Sequence, residues 1–174
     1  CIKINKGILA GGECIAVGGI ESSIIGTKTS QRTRLIAGIC HRDLTELNQL
    51  FNELKELVAR FSAPVKTIDA KEFAALRADI TARVQEVRER QYPARNAKIN
   101  VQKRLYEGVT LTLGQLTEDV REGRDGPFSM IENTLEGGIR YLGLTSLSVK
   151  AQDIEQAFIQ QQQMMQRSAR GDNQ

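Results

Sequence analysis

Gly11-Gly12-Glu13-Cys14-Ile15-Ala16-Val17-Gly18-Gly19, followed by Ile24-Ile25-Gly26, is the stretch on which the fold turns. Short β-branched runs closed by glycines predict strands of about three to five residues joined by tight turns. Ile2-Lys3-Ile4 upstream fits the same pattern, as do Lys98 to Val101, Val109 to Leu113, Met130-Ile131 and Ile139 to Tyr141 downstream. Lys3-Ile4-Asn5 recurs as Lys98-Ile99-Asn100, and the Gly12 to Gly18 spacing recurs as Gly108 to Gly114. A repeat of this kind predicts solenoid coils, each burying its apolar face only by stacking on the next. Coils are expected over residues 1–41, with returning strands over 97–147.

Between these stretches the period changes. Leu44, Leu47, Phe51, Leu54, Val58 and Phe61 step by three and four residues, the seam of a coiled coil. Phe73, Leu76, Ile80, Val84 and Val87 mark a second helix that ends before Pro93. Asp43-Leu-Thr-Glu46 and Asp69-Ala-Lys-Glu72 read as capping boxes at the two starts. Residues 42–92 are therefore expected to form an antiparallel two-helix hairpin about 30 Å long, from 1.5 Å of rise per residue. Over 148–174 a terminal helix carrying Ile154, Phe158 and Met165 is expected, frayed from Arg167 onward.

Composition narrows the function classes. The chain has 174 residues, 40% apolar and 26% charged, with a net charge of +3. No single-sign field demands nucleic acid or an anionic membrane. Three cysteines, Cys1, Cys14 and Cys40, do not make a secreted disulfide framework, which favours a cytoplasmic setting. No apolar run approaches the roughly 20 residues of a membrane helix, so no membrane insertion is expected.

Several motifs invite chemistry and are better explained otherwise. His41-Arg42-Asp43-Leu44-Thr45-Glu46-Leu47-Asn48 matches the kinase catalytic-loop pattern, but no nucleotide lobe precedes it and no Asp-Phe-Gly follows, so Asp43 reads as a helix cap. Gly26-Thr27-Lys28-Thr29 has one residue too many for a phosphate-binding loop. Cys40-His41 falls short of a metal ligand set. No enzyme activity, catalytic residue, cofactor or metal is expected. The second helix is somewhat basic but lacks the interleaved aromatics of a nucleic-acid surface. Two apolar groups are candidates for binding a protein: Phe61, Val65, Ile68 and Phe73 around the hairpin tip, and Ile154 with Phe158 on the terminal helix.

The sequence resembles flagellar assembly protein A over residues 1–147. Gly11-Gly12-Glu13 through Gly26-Thr27-Lys28-Thr29, the charged helical hairpin, and the exit strands Ala97 to Val101 with Gly108-Val109 carry the resemblance. It implies a mainly β plus α fold: a right-handed parallel β-solenoid interrupted by an antiparallel coiled-coil arm. It also implies a non-catalytic scaffold or regulator of polar flagellum assembly that binds protein partners at the cell pole, with coupling to a phosphotransferase-system carrier protein. The glycine-punctuated strands are also similar to the C-terminal domain of a cell-division inhibitor, which leaves self-assembly as a homodimer open.

Overall fold

Glycine corners send successive strands into two different sheets. The computed structural model describes residues 1–29, 32–63, 68–90 and 92–171, with side chains described as far as 165. β1 (Ile2–Leu9), β2 (Gly12–Ala16), β3 (Ile20–Ile25) and β4 (Thr33–Ala37) come first, followed by α1 (His41–Ser62) and α2 (Ala70–Glu89). Then come β5 (Lys98–Leu105), β6 (Val109–Leu113), β7 (Leu116–Asp119), β8 (Arg124–Asp125), β9 (Phe128–Glu132), β10 (Ile139–Gly143) and α3 (Ala151–Gly171). One sheet has the order β1-β3-β5-β9-β10 with β8 also on β5, and the other has the order β2-β4-β6-β7. Ile20 pairs with Ile99 and Leu35 with Leu111, both in parallel ladders. Apolar side chains from the two sheets, among them Ile25, Leu35, Leu105, Leu113 and Met130, share one buried core. Two of these corners show why glycine is required. Gly19 has φ +89° and a Cβ there would lie 2.9 Å from the Lys98 carbonyl, while Gly38 has φ +85° and faces Ala97 at 2.7 Å.

Among the described residues this is a mixed α/β fold of two separate sheets and three helices, and it overturns the expected right-handed parallel β-solenoid interrupted by a coiled-coil arm. From β7 onward the strands reverse. β7 lies antiparallel on β6, β9 antiparallel on β5, and β10 antiparallel on β9. A tight turn allows this, as at Gly114 with φ +63°, whereas a further parallel step needs a crossover. The self-match of Lys3-Ile4-Asn5 is also out of register, since it is Ile2 that aligns with Ile20 and, through it, with Ile99. The resemblance to flagellar assembly protein A rested on the solenoid and does not stand on this architecture. Flagellar assembly and β-solenoid are set aside with it.

Chain contacts divide the protein into two units, Cys1–Ile39 with Ala94–Gln174, and Cys40–Pro93. In the first, a buried polar line crosses the six-stranded sheet. Lys98 is fully buried, and its Nζ donates to Thr145 Oγ1 at 3.0 Å, to the Ser146 carbonyl at 2.7 Å and to the Val149 carbonyl. Burial lowers its pKa, with Glu21 opposing. Asn100 donates to Glu21 at 2.8 Å and to the Thr145 carbonyl at 2.7 Å, and accepts from Ser129 at 2.8 Å. Asn96 Oδ1 accepts from the Ala151 N–H at 2.9 Å and so ties down the start of α3. Helix α3 runs Ala151–Gly171 and begins within the terminal segment expected to be helical.

In the second unit α1 and α2 pair through Leu47, Leu50, Leu57, Ile80, Val84 and Val87, all buried. Burial of each such side chain contributes roughly 1.5–3 kcal/mol. Asp69 caps α2, accepting from the Glu72 N–H at 2.7 Å. Helix α1 is capped differently from the sequence expectation. Cys40 is its N-cap, with Sγ accepting from the Asp43 N–H at 3.4 Å, and Asp43 sits inside the first turn.

Candidate functional site

The core of the hairpin fixes what its flanks present. Helix α1 places Leu47, Leu50, Leu54, Leu57 and Phe61 toward α2. At about 100° per residue, the residue after each core position turns to one flank. Phe51 follows Leu50 and Val58 follows Leu57, and they are 37% and 45% exposed. The expected seam assigned both to the helix interface. The structure gives those places to Leu50 and Leu57. On α2, Leu76 is 39% exposed and outside the core, and its spacing places it on the face of Asp79 and Arg83 instead.

The opposite flank is closed by charge. Arg83 lies 3.2 Å from Glu53 across the helices and 3.9 Å from Asp79 on its own. Arg90 donates to Glu46 at 3.1 Å and to Asp43 at 2.7 Å. Asp43 is 4% exposed and also accepts from Tyr92 at 3.0 Å. Burial alone would raise its pKa, but the bonds from Tyr92, Arg90 and Cys40 hold it below the ordinary carboxylate value. The octet that resembles a kinase loop is thus built into a clasp at the base of the hairpin.

The other flank of α1 carries Phe51 and Val58. Helix α2 itself carries a shallow concavity of about 620 Å³ lined by Phe73, Ala74, Arg77, Ala78, Thr81, Ala82 and Gln85. The Arg88 guanidinium lies 6.0 Å from the Phe51 ring centroid. Phe61 stacked on Phe73 at 4.2 Å and Arg88 over Phe51 fix the antiparallel register, which brings Val58 level with the turn from Ala78 to Thr81.

The residues singled out from sequence are distributed as follows. Ile68 is buried in the hairpin core, and Phe61 and Phe73 are partly buried against it. Val65 lies outside the described residues. Ile154 and Phe158 belong to the inner face of α3, where the Arg140 guanidinium sits 4.4 Å above the Phe158 ring. Met165, expected on the same stripe, is 61% exposed. Sequence reasoning missed Phe51 and Val58 as surface residues. Two adjacent apolar pairs, Leu50-Phe51 and Leu57-Val58, are the signal that α1 carries more apolar surface than one seam can cover.

A second concavity, of about 340 Å³, lies beside α3 and is lined in part by Gln115, Glu132, Ala151, Glu155 and Ile159. Burial raises the pKa of Glu132, opposed by a hydrogen bond from the Gln115 backbone. Glu155 is already engaged, accepting from Thr134 N–H and Oγ1 at 2.8 and 2.7 Å and facing Arg140 Nε at 3.2 Å. Among the described residues no cluster of His, Cys, Asp and Glu could hold a metal ion, and no helix is long and apolar enough to cross a membrane.

No protein-family model, curated protein or solved structure matches this chain, so no relative ties it to flagellar assembly, phosphotransferase signalling or a cell-division inhibitor.

Proposed function

We propose that this chain is a non-catalytic scaffold that acts by binding another protein, with the open flank of the helical hairpin as its docking surface. One observation carries the proposal. The two flanks of α1 differ, one tied to α2 by Glu46–Arg90 and Glu53–Arg83 and the other exposing Phe51 and Val58, while α2 carries an alanine-rich concavity of its own. Large apolar side chains left in water next to small ones form a surface that gains by being covered. Nothing in the groove speaks for a flagellar setting or a phosphotransferase carrier, and neither is part of the proposal.

The test is affinity capture with the whole chain, followed by titration calorimetry against the purified captured protein. Phe51→Glu with Val58→Glu is expected to abolish binding while circular dichroism shows an unchanged fold. Glu53→Gln with Arg83→Gln, on the closed flank, is expected to leave binding intact. Equal binding by both variants would move the docking surface elsewhere.

A further inference from the structure

One edge of the larger sheet is left ready to pair. β1 and β10 end the order of that sheet, and β2 and β7 end the order of the smaller one. Exposed charge and irregular backbone discourage a further strand from adding to an edge. β1 exposes Lys3 and Lys6 and slips register between Ile4 and Ile8. β2 exposes Glu13, and β7 exposes Glu118 and Asp119. β10 reads Ile139-Arg140-Tyr141-Leu142-Gly143, and its one charge is already engaged. The Arg140 guanidinium lies over the Phe158 ring at 4.4 Å, and its Nε faces Glu155 at 3.2 Å.

The free side of β10 follows from its ladder. In an antiparallel pair alternate residues bond the neighbouring strand, and the others turn their N–H and C=O away from it. The Asn133 N–H donates to the Gly138 carbonyl at 2.9 Å, which sets the alternation. Arg140 opposite Ile131 and Leu142 opposite Ser129 are therefore the residues bonded to β9. Ile139, Tyr141 and Gly143 turn outward, and among the described residues their backbone groups meet no partner. We infer that β10 pairs antiparallel with β10 of a second copy of this chain, about a two-fold axis through Tyr141, joining two six-stranded sheets into one. This axis sets Tyr141 against Tyr141 of the second copy and Ile139 against Gly143 of the second copy. The outward N–H and C=O of all three residues are then bonded on both copies. An axis through Arg140 or Leu142 would bond only two of the three, and the first would also set two arginines face to face. With the axis at Tyr141, Arg140 stands opposite Leu142 of the second copy and no like charges meet. Tyr141 and Leu144, both exposed, add apolar area beside the bonds. The contact uses no residue of the helical hairpin.

Sedimentation equilibrium and amide hydrogen exchange on the whole, unaltered chain are the test. A dimer is expected whose fraction rises with protein concentration. Over the same range the amides of Ile139, Tyr141 and Gly143 should become slow to exchange, while those of Arg140 and Leu142, already bonded to β9, should be slow throughout. Tyr141→Lys and Tyr141→Glu each place like charges across the axis and should each give monomers, with the fold checked by circular dichroism. An equimolar mixture of the two should recover the dimer. A chain that stays monomeric at every concentration would overturn the proposal. So would a dimer in which Ile139, Tyr141 and Gly143 exchange as fast as in the monomer, or one whose new protection falls on β1, β2 or β7. Dimers of both charged variants as stable as that of the unaltered chain would overturn pairing about Tyr141.

Discussion

Asp43 gathers partners from far along the chain: Arg90 and Tyr92 at the other end of the hairpin, with Arg42 beside it at 3.7 Å. A cap must stand just before the helix in extended backbone, and Cys40 does so with φ −88° and ψ 157°. Local pattern favoured Asp43 as the cap because aspartate is the better capping residue. It could not show the guanidinium and phenol that bury Asp43 one turn further in. Because the carboxyl pKa is held below its ordinary value of 3.8, its contribution is fully present above that value. It is lost as pH falls through the lower folded value. Asp43→Asn is expected to destabilise the hairpin by about 1–3 kcal/mol at neutral pH, by weakening a buried charged hydrogen bond. It should also flatten the acid limb of a stability-against-pH curve measured by urea denaturation. A curve that keeps its full acid limb in the variant would show that Asp43 is not the group responsible.

At the level of the helix, two apolar stripes of the same step compete on α1. The stripe expected from sequence shares Leu47, Leu54 and Phe61 with the observed core but exchanges Phe51 and Val58 for Leu50 and Leu57. Either stripe alone satisfies a three-four spacing, and only the partner helix decides between them. The helices themselves were legible because their periodicity is strong. The exposure of Phe51 and Val58 was not, since the three-four spacing assigns both to the seam. The register makes a sharp prediction for thermal or urea unfolding. Leu50→Ala is expected to cost about 2–5 kcal/mol, as fully buried leucines do, whereas Phe51→Ala should cost about 1 kcal/mol or less, as at exposed sites. Equal losses would mean that both stripes are buried.

Across the whole chain, short glycine-bounded strands announced a β-rich body, but not how the strands pair. A parallel step and an antiparallel reversal begin with the same residue types, and contacts such as Ile20 with Ile99 bridge too much sequence to be read locally. The polar line around Lys98 was equally hidden, for lysine seldom reads as interior. Lys98→Met leaves the Ser146 and Val149 carbonyls without their donor and is expected to cost about 1–3 kcal/mol. Because the folded protein binds the Lys98 proton less tightly than the unfolded chain, wild-type stability should climb as pH rises toward 10.5. The methionine variant should lack that climb in chemical denaturation. Its persistence there would locate the proton elsewhere. The clasp of Arg90 on Asp43 bears on how quickly such long-range pairs can be found. β3 and β5 are neighbours although Cys40–Pro93 intervenes, and bringing them together across a slack tether would be a slow, entropically unfavourable search. Once α1 and α2 have zipped and the clasp has closed, the tether shrinks to little more than a turn. Stopped-flow refolding of Leu50→Ala should then be slower than wild type. Unchanged refolding with faster unfolding would place the hairpin's closure after the sheets have met. On this view the segment proposed to bind a partner also shortens the road by which the rest of the chain comes home.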